Sequence, residues 1–92
     1  MQKTIDIVLD VKPTGQDHWT RVFATIDGLS FMADIKHYDT PSQFGIDGGK
    51  ISKMQLSSGA NPYVAAYDRG WCKKPNGRRN VAFYQALIER FN

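Results

Sequence analysis

Two runs rich in β-branched and aromatic residues, 19–26 and 29–36, flank the dipeptide Asp27-Gly28. Both positions of a two-residue type I′ turn need positive φ, and Asp-Gly is one of the pairs that meet this requirement. With these two residues as the loop, the numbers of every cross-strand pair sum to 55. That register makes one face almost wholly apolar, and on the other face it sets Arg21 opposite Asp34. The turn chemistry and both faces therefore predict one antiparallel hairpin.

Three more segments have the pattern of β-strands. Residues 4–11 alternate with period two, which is typical of a half-buried strand. Residues 50–57 form the next predicted strand, but Ile51 is out of phase with the apolar residues after it, which indicates a β-bulge or an edge position. The lysines of this segment favour an edge, because charge there discourages pairing with another chain. Residues 63–68 form the fifth predicted strand. Turn-forming residues separate these strands at 13–17, 37–49 and 58–62.

The last predicted element is a helix over residues 80–91. Its apolar residues recur at three- and four-residue spacing: Val81, Tyr84, Leu87, Ile88 and Phe91. Strands joined by short turns and followed by a helix predict an α+β fold, an antiparallel β-sheet of four to five strands in a β-β-β-β-β-α meander packed by one C-terminal α-helix. Five strands span about 24 Å, whereas a helix is about 10 Å across. We therefore expect the sheet to curl around the helix or to bury surface against a second copy.

Length and composition limit the class of protein. Ninety-two residues with 41% hydrophobic side chains are enough for a single domain, 1–92, with one core. The one cysteine excludes an internal disulfide and fits a reducing compartment. Asp6 interrupts the apolar run that a signal peptide needs, and no stretch reaches the ~20 apolar residues of a membrane span. We expect a cytoplasmic protein.

The outer face of the predicted sheet is more apolar than contact with solvent requires. Trp19, Phe23 and Met32 of the hairpin share this face with Val8 of the first strand. Single exposed apolar residues are normal, whereas a contiguous patch marks an interaction surface. These residues are candidates for an interface with a second copy or a protein partner.

Positive charge is concentrated in residues 67–79. This segment holds five of the twelve Lys and Arg residues and one acid, and so carries +4. The other 79 residues carry −1, because they contain seven basic and eight acidic side chains. The segment leads directly into the predicted helix, whose first amides and dipole also favour an anion.

Nucleic acid or another polyanion is the partner that this segment favours. Cations beside a stacking surface are typical of nucleic-acid sites. The candidate contacts are Arg69, Lys73, Lys74, Arg78 and Arg79 for phosphates and Trp71 for stacking. The alternative is a solvated loop whose charge serves solubility, because a net charge of +3 and a pI of 9.2 are not extreme. The part from Asp68 to Trp71 is also well explained as a turn that closes the edge of the core.

No residue pattern predicts an enzyme. Cys72 with His18 or His37 would be the minimum for nucleophilic catalysis. The sequence shows neither a nucleophile elbow nor a third residue that would orient the histidine. One cysteine and two histidines do not have metal-ligand spacing. Residues 45–50 contain three glycines and a lysine but not the P-loop pattern, so they predict a turn. We expect a non-enzymatic protein with no catalytic residues, metal or cofactor.

Two segments carry a resemblance to a known family. Phe44-Gly45-Ile46-Asp47-Gly48-Gly49-Lys50-Ile51-Ser52-Lys53 and Tyr67-Asp68-Arg69-Gly70-Trp71 resemble the motifs of small uncharacterised proteins encoded by Gram-positive bacteria, their phages and mobile elements. The resemblance covers about the C-terminal half of the chain. It implies a bacterial or phage accessory protein with a domain of unknown function, and it carries over no catalytic residue.

Overall fold

The computed structural model describes residues 7–16, 18–59 and 61–92, which form one antiparallel sheet and one helix. The six strands pair in chain order from β1 to β6, so the sheet is a meander. The elements are β1 (Ile7–Pro13), β2 (Trp19–Ile26), β3 (Leu29–His37), β4 (Ile51–Ser58), β5 (Ala65–Asp68), β6 (Trp71–Lys73) and α1 (Arg78–Phe91), with a short 3₁₀ turn at Ile46–Gly48 before β4. Within these residues, no helix has the length and apolar character of a membrane span.

The hairpin of β2 and β3 confirms the predicted register. Asp27 has φ 52° and Gly28 has φ 80°, the positive values that a type I′ turn needs. Each pair of strand residues sums to 55, from Ile26 opposite Leu29 to the far end of the strands. The Arg21 and Asp34 side chains form a two-point ion pair, with N–O distances of 2.8 and 3.1 Å. The turn residues Asp27 and Gly28 and the residue patterns of the two hairpin faces were sufficient to predict this pairing.

Several predicted boundaries need correction. The sheet has six strands rather than four to five, because β6 lies in the segment predicted as a loop. Strand β5 begins at Ala65 rather than at 63, and α1 begins at Arg78 rather than at 80. Strand β1 runs on to Pro13, which an edge strand tolerates. Residues 4–6 of the first predicted strand lie outside the described residues.

Strand β4 contains the predicted bulge. Lys36 pairs with Lys53, whereas the next residue of β3, His37, pairs with Ile51. Ser52 is therefore the extra residue, and it returns Ile51 to the buried face, where that side chain is 0% exposed. The alternative prediction, that β4 is an edge strand of the sheet, is wrong, since β4 pairs with β3 on one side and with β5 on the other.

The core lies between the sheet and α1. Phe83 and Leu87 of the helix are fully buried against it, and the Phe83 ring meets the edge of Phe31 with 5.6 Å between centroids. Both edge strands also reach this core, β1 through apolar residues such as Leu9 and β6 through Trp71. Because one helix is narrower than six strands, contact from both edges requires the sheet to curl around α1.

The end of α1 fastens the turn before β4, here called the glycine turn (Gly45–Gly49). The Asn92 side-chain oxygen accepts hydrogen bonds from the amides of Lys50 (2.9 Å) and Ile51 (3.2 Å). Its amide nitrogen donates to the carbonyl of Ile46 at 3.0 Å. One side chain thereby pairs with two backbone amides and gives the Ile46 carbonyl a second donor beside the Gly49 amide. The Asn92 side chain thus joins the end of the helix to the start of β4.

Candidate anion-binding site

The structure divides the predicted basic residues between two ends of the sheet. Because β5 and β6 form a hairpin, Arg69 lies in its turn, next to the start of β4. Lys73 lies at the opposite end of the hairpin, and the remaining three residues follow it at the start of α1: Lys74, Arg78 and Arg79. That second end is also where the β2–β3 turn lies, since Arg79 Nε is 3.0 Å from an oxygen of Asp27. Arg69 is therefore apart from the other four.

The cations at the start of α1 are partly engaged within the protein. Arg79 pairs with Asp27, and Lys73 donates to the carbonyl of Tyr63 at 2.9 Å and lies 5.1 Å from that ring. Lys74 and Arg78 are exposed. The helix has no side-chain cap at Gly77 and no acid in its first turn, so this end of the molecule is electropositive.

Trp71 is placed on the core side of the sheet. Its ring is half-buried between Tyr67 and Tyr84, with centroid distances of 5.1 and 5.3 Å and edge-to-face geometry. Both contacts are of the kind that stabilise aromatic clusters. The ring packs at the edge of the core beside β6, and part of it remains exposed.

Arg69 is joined by two lysines that come from other strands. Lys36 and Lys53 are directly opposite each other on the outer face of β3 and β4, and Lys53 in turn is opposite Asp68. The Arg69 amide donates to the carbonyl of Ser52 at 3.0 Å, which holds the turn against β4. These three cations define what we call the cation pocket, of about 470 Å³. Its other lining residues are Tyr38, Thr40, Pro41, Ser42, Phe44 and Ser52.

Among the residues that the structure describes, no carboxylate lines the cation pocket. Asp68, which lies outside it, is 3.7 Å from Lys53, and both side chains are well exposed, so this ion pair is weak. Lys36 and Lys53 repel each other, because like charges directly opposite on adjacent strands are destabilising. An anion placed between them would remove that repulsion.

Arg69 adds a second unfavourable feature at the same place. Its φ is 53°, in the left-handed region that non-glycine residues seldom occupy. Strained backbone of this kind costs about 1–3 kcal/mol and is concentrated at functional sites. The positive φ of Arg69 and the like-charge pair together make the cation pocket a candidate site for an anion.

A groove of about 590 Å³ adjoins the cation pocket on the outer face of the sheet, and Lys53 lines both. Its walls include the half-buried ring of Trp19 and the ring of Tyr63, which is 43% exposed. Between these rings the floor is polar, because it contains the ion pair of Arg21 with Asp34. The groove therefore offers aromatic walls and hydrogen-bonding groups beside three cations.

The candidate interface residues lie on the same face but do not form one patch. Phe23 is opposite Met32 and is 43% exposed, and Val8 on β1 is 62% exposed. Trp19 is separated from Phe23 by the outward-facing Arg21 and lines the groove instead. The structure thus groups Phe23, Met32 and Val8 and places Trp19 with the candidate anion site.

A family model described as a domain of unknown function, DUF7678, matches residues 18–92. The chain belongs to this family. The matched residues contain both motif segments and the whole cation pocket. No curated protein and no solved structure matches the chain.

The two motif segments of this DUF7678 chain contact each other. The Tyr67 hydroxyl donates to the carbonyl of Phe44 at 3.0 Å, and Lys53 forms the ion pair with Asp68. The first segment contains the glycine turn, and the second contains the β5–β6 turn with Arg69. Both motifs therefore build the same corner of the sheet and border the cation pocket.

The Cys72 thiol of the DUF7678 chain is free, whereas each histidine ring packs on an aromatic ring. Cys72 is exposed on β6, in the groove. The His18 ring packs on Tyr38 at 4.3 Å between centroids, and the His37 ring packs on Phe91 at 5.0 Å. Burial lowers the pKa of His37 below its ordinary value and so favours the neutral ring at neutral pH.

Two functional candidates of this DUF7678 domain were missed in the sequence. Lys36 and Lys53 are separated by 17 positions and meet only through the pairing of β3 with β4. The out-of-phase Ile51 was the available signal, because a bulge at that point sets which residues of β4 face outward. Once the outward-facing residues of β3 and β4 are known, Lys36 and Lys53 are expected to lie opposite each other.

Proposed function

We propose that this DUF7678 protein is a non-enzymatic binding module for single-stranded nucleic acid, which it contacts on the outer face of its sheet. The observation that carries the proposal is the convergence of Lys36, Lys53 and Arg69 on a pocket whose described lining residues include no carboxylate. Phosphate groups supply most of the affinity of nucleic-acid complexes, and Lys and Arg are their usual partners. The like-charge pair across β3 and β4 is relieved when such a group binds.

The adjoining groove supports a single strand rather than a duplex. Single-stranded binding sites combine a basic track with aromatic rings on which bases stack. Trp19 and Tyr63 stand at the walls of this groove, and Lys53 connects it to the cation pocket. In this proposal Trp19 takes the stacking role that the sequence suggested for Trp71. Lys74 and Arg78, exposed at the start of α1, lie at the other end of the sheet and are not part of this site.

The test is the binding of short single- and double-stranded DNA and RNA over a series of salt concentrations. Three neutralised phosphates on a single strand predict a slope of log K against log salt of about −2. The double variant Lys36→Gln with Arg69→Gln should bind at least tenfold more weakly at low salt and reduce the slope by about 1.4, because it loses two phosphate contacts.

The control variant also replaces one lysine and one arginine, but at positions outside the cation pocket. Lys12 lies on β1 beside Asp10, and Arg90 lies near the end of α1. Lys12→Gln with Arg90→Gln therefore changes the net charge equally but leaves the cation pocket intact. Equal losses for the two double variants would show that only net charge matters. Absence of binding by the unmodified protein at low salt contradicts the proposal.

A second candidate function is self-association through Val8, Phe23 and Met32. The observation that favours it is the exposure of Val8 and Phe23 on adjoining strands, because exposed apolar side chains that adjoin mark interaction sites. Light scattering at high protein concentration should then show a dimer, and Phe23→Lys should return it to a monomer. Gln85→Lys, on the exposed side of α1, is the control. An unmodified protein that stays monomeric eliminates this candidate.

A further inference from the structure

We infer that the cation pocket binds a terminal phosphate, so that the ligand class is a single strand carrying a phosphomonoester at one end. This inference rests on the proposed function and specifies the end of the strand that the site recognises. It is carried by three features of the pocket: a fixed wall, the charge of its lining and the supply of hydrogen-bond donors.

The wall is the segment that leads from β3 to the glycine turn. Thr40, Pro41 and Ser42 belong to it and line the cation pocket. Backbone hydrogen bonds hold it in place, because the Tyr38 amide donates to the Lys50 carbonyl and the Ser42 amide to the Gly49 carbonyl, each at 3.0 Å. The groove and the pocket share Lys53, whereas the wall residues line the pocket and not the groove. A strand lying in the groove would therefore meet the wall with its end.

The charge of the pocket matches a monoester better than a diester. Lys36, Lys53 and Arg69 carry three positive charges, and Asp68 offsets part of the charge on Lys53 at 3.7 Å. Because that ion pair is weak, at least two positive charges remain for a ligand. A phosphomonoester carries about −1.5 to −2 at pH 7, because its second pKa is about 6. An internal phosphodiester carries a single negative charge, so it would leave one cation unbalanced.

The donors of the pocket also suit three terminal oxygens. The Arg69 guanidinium offers a planar fork that binds phosphate at two points, and the two lysines add ammonium groups. The Ser42 hydroxyl oxygen accepts a hydrogen bond from the Phe44 amide at 3.1 Å, so its proton is directed elsewhere. Ser42 and Thr40, which line the pocket, place two hydroxyl groups at the wall. An internal diester has only two non-bridging oxygens to receive these groups.

The experiment compares one oligonucleotide sequence, about six nucleotides long, with a 5′-phosphate, with a 3′-phosphate and with hydroxyl groups at both ends. We expect one of the phosphorylated forms to bind at least tenfold more tightly than the unphosphorylated form at pH 7.5. The preference should shrink at pH 5.5, because the monoester then carries about one charge. The preference is the ratio of the affinities of the phosphorylated and the unphosphorylated strand at one pH. A pH effect on the protein that changes both affinities equally therefore cancels in this ratio.

Arg69→Gly tests the role of the pocket without placing the fold at risk. Glycine adopts φ 53° without strain, so this variant should be at least as stable as the unmodified protein. It should bring the affinity of the phosphorylated strand to within about threefold of the unphosphorylated one. Lys36→Gln should act in the same direction. An unchanged preference in both variants would place the phosphate elsewhere and overturn the inference.

The outcomes separate the two proposals. If no oligonucleotide binds, the proposed function fails and the end preference with it. If all three forms bind equally, the proposed function stands and the inference about the end is wrong. Inorganic phosphate should compete only at far higher concentration than the phosphorylated strand, since it makes no contact with the groove. Competition at equal concentration would make free phosphate the ligand and would also overturn the inference.

Discussion

Replacing Phe83 with alanine is expected to lower the free energy of unfolding by about 3–5 kcal/mol. The side chain is 0% exposed and its ring meets Phe31, so truncation leaves a cavity beneath the sheet. A domain of this size has a total stability of about 5–15 kcal/mol. The loss would lower the melting temperature by about 4–8 °C per kcal/mol. Urea denaturation followed by circular dichroism measures the change.

Phe23→Ala is the matched control, because it removes the same atoms from the other face of the sheet. Phe23 is 43% exposed and points away from α1. We expect its replacement to change the free energy of unfolding by no more than about 1 kcal/mol. Equal destabilisation by the two variants would contradict the position of the core between the sheet and the helix.

Gly49→Ala is expected to destabilise the protein by about 1–3 kcal/mol, because a Cβ at this position would overlap the side-chain amide of Asn92. Asn92→Ala is expected to cost about 2–3 kcal/mol, since it removes the side-chain acceptor of the Lys50 and Ile51 amides and one of the two donors to the Ile46 carbonyl. Chemical denaturation of each single variant gives the two values.

The double variant shows whether the two effects have one cause. Once Asn92 is alanine, the amide that obstructs a Cβ at Gly49 is gone, so the double variant should be more stable than the sum of the single losses predicts, by about 1 kcal/mol or more. Gly45→Ala is the control, because its Cβ would overlap the backbone carbonyl of Gly49. Asn92→Ala should not relieve that overlap. Strict additivity for Gly49 with Asn92 would refute the predicted contact.

The parts of the fold that depend on local chemistry could be predicted from the sequence. The β2–β3 register follows from one dipeptide and two face patterns. The phase of Ile51 left two interpretations of β4, a bulge or an edge position, and the pairing on both sides of β4 shows the bulge. Strand β6 could not be predicted, because three residues carry too little pattern and its cysteine and lysine are exposed. Its pairing depends on the Trp71 ring, which reaches the core only when β5 is in place.

The candidate site was predicted less completely than the fold. Arg69 stands in a segment whose charge is evident along the chain, whereas its partners Lys36 and Lys53 come from two other strands. Charge density along a sequence does not show which end of a hairpin each residue occupies. For the same reason the sequence set Arg69 with Arg78 and Arg79, although the β5–β6 hairpin separates them.

The meander has a consequence for how the chain reaches its native state. Every strand pairs with its neighbour in the sequence, so the sheet needs few long loop closures, and folding rates rise as contacts become more local. We expect the Asp27-Gly28 hairpin to form early and later strands to add to it in turn. The bond from Asn92 to Ile46 joins residues 46 positions apart. The glycine turn beside the cation pocket is therefore secured late, when the helix arrives.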